Sequence, residues 1–323
     1  MNQDIKIIRS AISSLPSVGI IQFLKEKGFF IIGSDITENS SARYFVNDFF
    51  LVDKAVPATE EKVIEQYTAA IKKYGARWIL SGPENEILLL AGHEKEISIN
   101  NCLLFHPSKY ILDVITDKYL LYRELKSVIP QKELCLLQDF DKASFFSSDK
   151  LILKPRNGRG SAGVFTVKNH LPELIDIAEK LADKLYIIQE FIDGREFTVD
   201  VLFDNNGGLL NAVIRERLAI SSGIVVSAKT VKNDRILEYV DSIQKHFTFR
   251  GFNCIQFREE NGEYYLTDIN PRIGGGCILS LTASKSMADN FINLLHMNYD
   301  KLNYNVFDAE ERTMYRYYSE VYV

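Results

Sequence analysis

Cysteine, proline and long apolar runs are scarce in this sequence. Its 323 residues include four cysteines and eight prolines. The cysteines are far apart, with no C-x-x-C pair and no histidine at a zinc-ligand spacing, so we predict neither a disulfide framework nor a zinc site. The low proline content together with only 18 glycines also excludes a collagen-like or low-complexity chain.

An excess of positive charge is also missing. Lysine and arginine number 38 against 43 aspartates and glutamates, a net charge of −5, whereas a large nucleic-acid interface needs clustered basic residues. No apolar run approaches the roughly 20 residues that span a bilayer, and residues 1–4 lack a signal-peptide pattern. We therefore expect a cytoplasmic protein with neither a nucleic-acid nor a membrane partner.

The first hundred residues alternate between strand and helix patterns. The predicted strands are residues 6–8, 29–35 and 77–82, and the predicted helices are residues 18–27 and 60–74. A glycine follows each helix, as is common where a helix ends. The alternation predicts a parallel α/β sheet, whose ligands bind beyond the carboxyl ends of the strands, here near Asp35 and residues 81–84.

A different pattern begins near residue 108. It predicts a helix over 117–126, strands over 150–155, 164–167, 186–191, 195–203 and 209–217, a helix over 234–246, a hairpin over 252–270 and a last helix over 286–299. We expect the closely spaced strands to pair antiparallel, because their short connections leave no room for crossover helices.

Residues 158–163 match the glycine-rich pattern G-x-G-x-x-G, which is a weak signal by itself. A dinucleotide-binding loop is excluded because a strand follows it instead of a helix, and a protein kinase is excluded because no H-R-D or D-F-G motif occurs. What remains is a hairpin whose backbone amides cover phosphates, while Lys154 on the preceding strand neutralises their charge. An ordinary mobile hairpin is the alternative.

The C-terminal hairpin carries side chains that suit a metal ion. Asp268 and Asn270 point to the same side of their strand, and two oxygen ligands beside phosphates suit Mg²⁺. Arg272 follows two residues later and offers a guanidinium for a carboxylate or an acyl phosphate. The alternative is an edge strand with solvated polar residues.

Whether Gln256 joins this group depends on the turn of the hairpin. A three-residue loop over 260–262 would pair Glu259 with Glu263 and place Gln256 on the face of Asp268. A two-residue turn would place it on the other face. We predict the three-residue loop.

Together these residues resemble the ATP-grasp superfamily, and in particular one synthetase half of the carbamoyl-phosphate synthase large subunit. The resemblance rests on residues 151–155 with the glycine loop, 187–196, 256–257 and 268–272, in the family's order. It covers most of the chain from about residue 108. It implies a fold that combines α/β and α+β parts, namely an ATP-grasp fold preceded by a parallel α/β (pre-ATP-grasp) domain.

The resemblance implies three domains. They are an N-terminal α/β domain over 1–107, a lid with the glycine-rich loop over 108–187, and a C-terminal ATP-grasp domain with the magnesium and substrate site over 188–323.

The resemblance also implies ATP and Mg²⁺ as cofactors. The implied ATP-binding residues are Lys118, Lys154, Gly160, Ser161, Gly163, Glu190, Ile192 and Glu196. The implied magnesium ligands are Gln256, Asp268 and Asn270, of which Asp268 replaces the glutamate common in the family. Arg272, on the acyl phosphate, and Lys154 are the implied catalytic residues.

Arginines beyond the motifs are candidates for substrate binding. Arg215 and Arg217 share one strand face and Lys229 follows soon after, so together they could hold an anionic substrate beside Arg272. A solvated, charged strand face is the alternative.

The implied reaction joins a small-molecule carboxylate to an amine. ATP phosphorylates the carboxylate, and the amine attacks the acyl phosphate to form a carbon–nitrogen bond. Two alternatives stay open: an enzyme like carbamoyl-phosphate synthase that acts on bicarbonate, and a catalytically silent ATP-binding regulatory protein. A homodimer also stays open, since two-fold dimers are common.

Overall fold

The computed structural model describes residues 5–14, 17–142, 146–158, 162–181, 185–221 and 223–323. Its strands form three sheets of five, four and six strands. The first sheet lies in the N-terminal third, the second forms a lid, and the third is the central sheet to which the other parts attach.

The N-terminal sheet is parallel throughout. Its strands are β1 (Lys6–Ser10), β2 (Phe30–Asp35), β3 (Asp48–Leu51), β4 (Trp78–Leu80) and β5 (Leu103–Leu104), in the spatial order β3-β2-β1-β4-β5. The helices of this part are α1 (Ser17–Glu26), α2 (Glu60–Tyr74), α3 (Glu84–Gly92) and α4 (Glu94–Ser98). The predicted parallel α/β sheet is confirmed.

Side-chain alternation explains why helices cover both faces of this sheet. Ile7 packs in one hydrophobic cluster with residues of α1, whereas the adjacent Ile8 packs in another with residues of α2. Successive residues of a strand face opposite sides. The helix α2 ends where predicted, at Gly75, which has a left-handed φ of 67°.

The lid sheet is antiparallel. Helices α5 (Lys109–Ile115) and α6 (Lys118–Leu125) precede it, its strands are β6 (Leu134–Leu136), β7 (Lys150–Pro155), β8 (Phe165–Lys168) and β9 (Tyr186–Glu190), and α7 (Leu171–Lys180) connects β8 to β9. The expectation that no helix separates these strands is wrong. Because the spatial order is β6-β9-β7-β8, β8 and β9 are not neighbours, and their connection has room for a helix.

The central sheet has six strands in the order β14-β13-β10-β11-β12-β15. They are β10 (Glu196–Phe203), β11 (Leu209–Ser221), β12 (Ile224–Val231), β13 (Gly251–Glu260), β14 (Glu263–Asn270) and β15 (Thr313–Tyr315). The helices of this part are α8 (Asp234–His246), α9 (Cys277–Ala283) and α10 (Lys285–Leu295). Strands β12 and β15 were not predicted.

The two faces of the central sheet differ in polarity. Phe197, Val199 and Val201 of β10 pack in one cluster with α5, α6 and α8, while Glu196 and Asp200 alternate with them and face the other side. The division into three domains, at 107/108 and 187/188, stays a proposal. Helices α5 and α6, which that division assigns to the lid, pack against the central sheet. The boundary at 187/188 falls within β9.

The N-terminal part and the central sheet share a hydrophobic core. Trp78 of β4 and Phe291 of α10 belong to one cluster with Leu210 and Phe252 of the central sheet. The Trp78 indole Nε1 donates a hydrogen bond to the Leu295 carbonyl oxygen at 2.9 Å. Among the residues that the structure describes, no helix is long and apolar enough to cross a membrane.

Candidate active site

The β13–β14 hairpin has a different turn from the one predicted. Glu260 pairs with Glu263, so the turn contains two residues, Asn261 and Gly262, with φ angles of 55° and 83°. The prediction of a three-residue loop is therefore wrong. Positive φ at both positions is typical of a tight type I′ hairpin, which Asn-Gly favours.

A bulge further along the hairpin nevertheless restores the predicted face of Gln256. The register shifts between Gln256 and Phe257, so that Phe257 pairs with Leu266 and Gln256 pairs with Asp268, with Thr267 as the extra residue. Directly opposed residues point to the same side of a sheet. Gln256 therefore faces Asp268 in spite of the two-residue turn.

A cavity of about 350 Å³ lies between the lid sheet and the central sheet, within the range typical of ligand pockets. The proposed site residues that line it are Lys118, Lys154, Glu190, Ile192, Glu196, Arg217, Gln256, Asp268, Asn270 and Arg272. Gly158 and Ala162 of the glycine-rich segment also line it. Gly160 and Ser161 lie outside the described residues, and Gly163 is not among the lining residues.

Two lysines enter the cavity from the lid side. The Lys154 ammonium donates a hydrogen bond to Gln189 Oε1 at 3.0 Å, and that of Lys118 donates to the Gly158 carbonyl oxygen at 2.8 Å. Burial lowers the pKa of Lys154 to about 8, although the Asp268 carboxylate opposes this shift. Neither lysine forms an ion pair with an acid within the described parts of the chain, so both are available to an anionic ligand.

The oxygen-bearing side chains lie opposite these lysines. Within the described ranges, the side chains of Gln256, Asp268 and Asn270 have no hydrogen-bond partner, and no cluster of three His, Cys, Asp or Glu residues could hold a metal ion alone. One carboxylate and two amide oxygens fit Mg²⁺, which takes its remaining ligands from phosphates and water. These three residues would therefore hold the ion only together with the phosphates.

The ribose-binding candidate Glu196 lies between two arginines. Its carboxylate pairs with Arg217 Nη1 at 2.9 Å and with Arg258, whose other guanidinium nitrogen donates to the Ile192 carbonyl oxygen at 2.8 Å. Arg258 was not among the candidate residues identified from the sequence. Its position two residues after Gln256 places it on the same strand face, and this spacing was the available signal.

Glu190 lines the cavity but directs its carboxylate to residues before β7. Oε1 accepts hydrogen bonds from the Ser147 amide at 2.7 Å and from the Ser147 hydroxyl at 3.0 Å. A third donor is the Ser148 amide at 3.2 Å. The carboxylate therefore fixes the start of β7 within the lid.

The structure does not bring Arg215 to the cavity. Arg215 is 1% exposed and forms a bidentate ion pair with Asp200. Its Nε donates to Oδ2 at 2.7 Å and its Nη2 donates to Oδ1 at 3.0 Å. Asp200 also accepts a hydrogen bond from Ser280 at 2.6 Å. The structure therefore corrects the expectation that Arg215 binds substrate, because Asp200 already pairs with its charge and with two of its guanidinium nitrogens.

Lys229 also lies apart from the predicted cationic group. It pairs in register with Glu216, which faces away from Arg215 and Arg217 on the same strand. Its ammonium forms an ion pair with the Glu216 carboxylate at 3.1 Å. Of this candidate group, only Arg217 and Arg272 reach the cavity.

A sequence profile of the ATP-grasp domain matches residues 115–276, half of the chain. The chain belongs to the ATP-grasp family. This ATP-grasp chain is 26% identical over 274 residues to the carbamoyl phosphate synthase large chain of Thermoanaerobacter sp. (strain X514). It is 27% identical to that of Caldanaerobacter subterraneus subsp. tengcongensis. Each match covers 79% of this chain and 24% of the relative, so the chain spans about a quarter of these proteins.

Solved structures share the ATP-grasp fold. The N5-carboxyaminoimidazole synthetase of Staphylococcus aureus superposes with a TM-score of 0.68 at 17% identity, over 91% of this chain and 79% of that chain. The biotin carboxylase domain of Hydrogenobacter thermophilus 2-oxoglutarate carboxylase gives 0.71 at 14% identity, over 95% and 72%. The predicted ATP-grasp fold with a preceding parallel α/β part is confirmed.

Proposed function

We propose that this ATP-grasp chain is an ATP- and Mg²⁺-dependent ligase that joins a carboxylate to an amine through an acyl phosphate. One observation carries the proposal: two lysines, an aspartate with two amides, and Arg272 line the same cavity. Phosphoryl transfer depends on positioning and on charge stabilisation rather than on a protein nucleophile. The groups that line the cavity can provide both the positioning and the charge stabilisation.

Each group has a distinct role in the proposed reaction. Lys118 and Lys154 neutralise the ATP phosphates, and bound Mg²⁺ would polarise phosphate oxygens. Arg272 orients the substrate carboxylate, one oxygen of which attacks the γ-phosphorus as ADP leaves. The amine nitrogen then attacks the acyl carbon, the carbon–oxygen bond to phosphate breaks, and the nitrogen loses a proton. Arg272 stabilises the developing charge on the acyl phosphate.

The structural relatives support the cofactors. The Staphylococcus aureus synthetase has also been solved with ADP, and the structure of the Hydrogenobacter carboxylase domain contains MgADP and bicarbonate. We carry ATP and Mg²⁺ over to this chain because the lysines and oxygen ligands described above provide the charges and donors that MgATP requires.

Action on bicarbonate is a second candidate, favoured by the relatives named carbamoyl phosphate synthase large chain. This chain matches about a quarter of such a protein, so the complete reaction of those relatives would need further parts. Bicarbonate-stimulated release of ADP, without any added organic acid, would support this candidate.

Isotope transfer tests the ligase proposal. The chain is incubated with MgATP, an amine pool and carboxylic acids that carry ¹⁸O in both carboxylate oxygens, and the phosphate released is analysed by mass spectrometry. An acyl phosphate transfers one ¹⁸O atom to phosphate. Phosphate without ¹⁸O during product formation would contradict the proposed intermediate.

Two variants and a control accompany this measurement. Asp268→Asn and Arg272→Gln are expected to lower the turnover by at least about 100-fold, the scale of a lost charge-stabilising group. Arg123→Gln, at an exposed position in the last turn of α6, is the matched control and should leave turnover unchanged. Tight MgATP binding with no turnover in broad pools of acids would favour the regulatory alternative.

The assembly state is a separate proposal. The Hydrogenobacter carboxylase domain is described as a dimer, and we propose a homodimer for this chain as well. Light scattering after size-exclusion chromatography tests it, and a mass near 36.9 kDa would indicate a monomer.

A further inference from the structure

In the N-terminal sheet the carboxyl ends of β1 and β4 lie side by side, and we call the region beyond these two ends the crevice; none of the residues that line the ATP cavity belongs to it. Strands β2 and β3 lie on one side of β1, whereas β4 and β5, which come later in the sequence, lie on the other side. This reversal is a topological switch point, and open parallel sheets bind ligands there, beyond the carboxyl ends of the two central strands. In this chain the two ends are Arg9-Ser10 of β1 and residues 80–82 at the end of β4.

Arg9 is a buried cation without a carboxylate partner in this crevice. It is 5% exposed and donates to the Leu80 carbonyl oxygen at 2.8 Å and to the Ser17 hydroxyl at 3.4 Å. Its Nε has no hydrogen-bond partner, and no ion pair of Arg9 occurs within the ranges that the structure describes. A buried charge is costly unless an opposite charge accompanies it.

The loop after Arg9 carries a further feature typical of ligand sites. Ala11 has a φ of 48°, uncommon for a residue with a side chain. Strained backbone is concentrated at functional sites. A Cβ on Gly82 would lie 3.3 Å from Arg9 Nη1, so the loop after β4 approaches the guanidinium closely.

Packing joins the segments that carry Arg9 and Arg272. Ile12, three residues after Arg9, and Ile273 belong to one hydrophobic cluster, and a Cβ on Gly19 of α1 would touch Ile278 of α9 at 3.5 Å. Burial lowers the pKa of Arg9 to about 10; the Glu86 carboxylate opposes this shift, and the positive charge of Arg272 adds to it.

Glu86 is the acid whose charge acts on Arg9, so it is the counter-charge to consider. Its carboxyl group accepts a hydrogen bond from the Ser10 hydroxyl, and burial raises its pKa, so its ionised form is disfavoured. Neither Arg9 nor Arg272 therefore forms an ion pair with an acid in the described parts of the chain, and two unpaired like charges that act on each other favour a bound anion.

We propose that the crevice between β1 and β4 is a second anion subsite, in which Arg9 binds a carboxylate or phosphate group of the substrate while Arg272 holds the reacting carboxylate. The subsite rests on the proposed function for the role of Arg272. It restricts the substrate to molecules with two anionic groups, such as dicarboxylates or phosphorylated acids.

Calorimetric titration of the full chain tests this subsite, with and without saturating MgADP. The probes are dicarboxylates from malonate to adipate, each beside the monocarboxylate of equal length, and 3-phosphonopropionate. At least one doubly anionic probe should bind about tenfold more tightly than its singly charged counterpart, because it gains charge-assisted hydrogen bonds. Preference for the phosphonate over every dicarboxylate would identify a phosphate group as the natural occupant.

Variants assign this preference to Arg9. Arg9→Gln should reduce it to less than about threefold and Arg9→Lys, which keeps the charge but loses the fork, should give an intermediate value. Arg43→Gln, an arginine of the same sheet region that is half exposed and pairs with Glu38, is the control and should keep the full preference. Circular dichroism checks that each variant folds. If Arg9→Gln does not fold, the preference is measured with Arg9→Lys instead.

The outcomes separate the subsite from the ATP-dependent function. Equal binding of singly and doubly charged probes to the unmodified chain would overturn the subsite, and so would a preference that survives in both Arg9 variants. Failure of MgADP to bind would count against the proposed function alone, because the titrations without nucleotide still measure the anion preference.

Discussion

At the scale of single residues, the environment decides what each arginine does. Arg215 and Arg217 lie two positions apart on one strand face, yet Arg215 is enclosed with Asp200 while Arg217 reaches the cavity. Gly274 and Gly276 cover the enclosed pair, since a Cβ on Gly274 would lie 2.5 Å from Asp200 Oδ1. The pair therefore packs against the glycine segment that follows Arg272 and does not face the cavity.

Removing one partner of this pair is expected to be strongly destabilising. Asp200→Ala leaves a buried guanidinium unpaired and should lower the free energy of unfolding by about 3–5 kcal/mol, measured by urea denaturation. The exposed pair of Asp241 and Lys245 provides the control, and Asp241→Ala should cost less than about 1 kcal/mol. Equal losses in the two variants would show that the Arg215 pair is not structural.

Lys154 should make nucleotide binding dependent on pH. Burial lowers its pKa to about 8, so its positive charge is present below that pH and is lost above it. Because the charged form binds phosphates, ADP affinity should fall by about tenfold between pH 7 and pH 9, as measured by titration calorimetry.

An arginine at this position supplies the control for the pH experiment. Lys154→Arg keeps its charge throughout this range, so its ADP affinity should be nearly constant with pH. A fall of the same size in both proteins would assign the pH dependence to another group.

At the scale of elements, the turn and the bulge of the β13–β14 hairpin have different roles. The Asn261-Gly262 turn reverses the chain, whereas the bulge at Thr267 aligns Gln256 with Asp268. Bulges commonly reorient side chains beside functional sites. The turn and the ligand alignment should therefore respond differently to mutation.

Gly262→Ala tests this separation. Alanine is strained at a φ of 83°, so the variant should lose about 1–2 kcal/mol of stability, while MgADP affinity stays within about twofold because the bulge is unchanged. Gly92→Ala, at the end of α3 with open space around it, is the control and should be neutral or slightly stabilising. Loss of MgADP affinity in Gly262→Ala would show that the turn also sets the alignment.

At the scale of the whole molecule, the N-terminal part and the central sheet are joined by a common core. Trp78 is the only tryptophan and is fully buried in the shared cluster. A domain with its own core can unfold alone, but a shared cluster couples the two parts.

This coupling predicts one unfolding transition for the two parts. The fluorescence of Trp78 reports on their interface, and far-UV circular dichroism reports on all helices and sheets. Their midpoints in urea should coincide, as expected for cooperative unfolding. Exposure of Trp78 at a lower urea concentration than the main loss of dichroism would contradict this prediction.

The sequence by itself determined most of the elements and most of the residues proposed for the candidate site. Periodicity predicted β1, β2, β4, α1, α2 and α8, and the motif spacing identified Lys154, Asp268, Asn270 and Arg272, which line one cavity. These signals are local, because they depend on alternation within a strand or helix and on turn residues.

Only the tertiary structure decided features that depend on pairing between distant segments. The bulge at Thr267 and the enclosure of Arg215 by Asp200 involve contacts between separate strands. The order of strands in a sheet also explains why α7 fits between β8 and β9. Register, burial and charge partners arise when segments far apart in the chain meet, so no pattern within one segment specifies them.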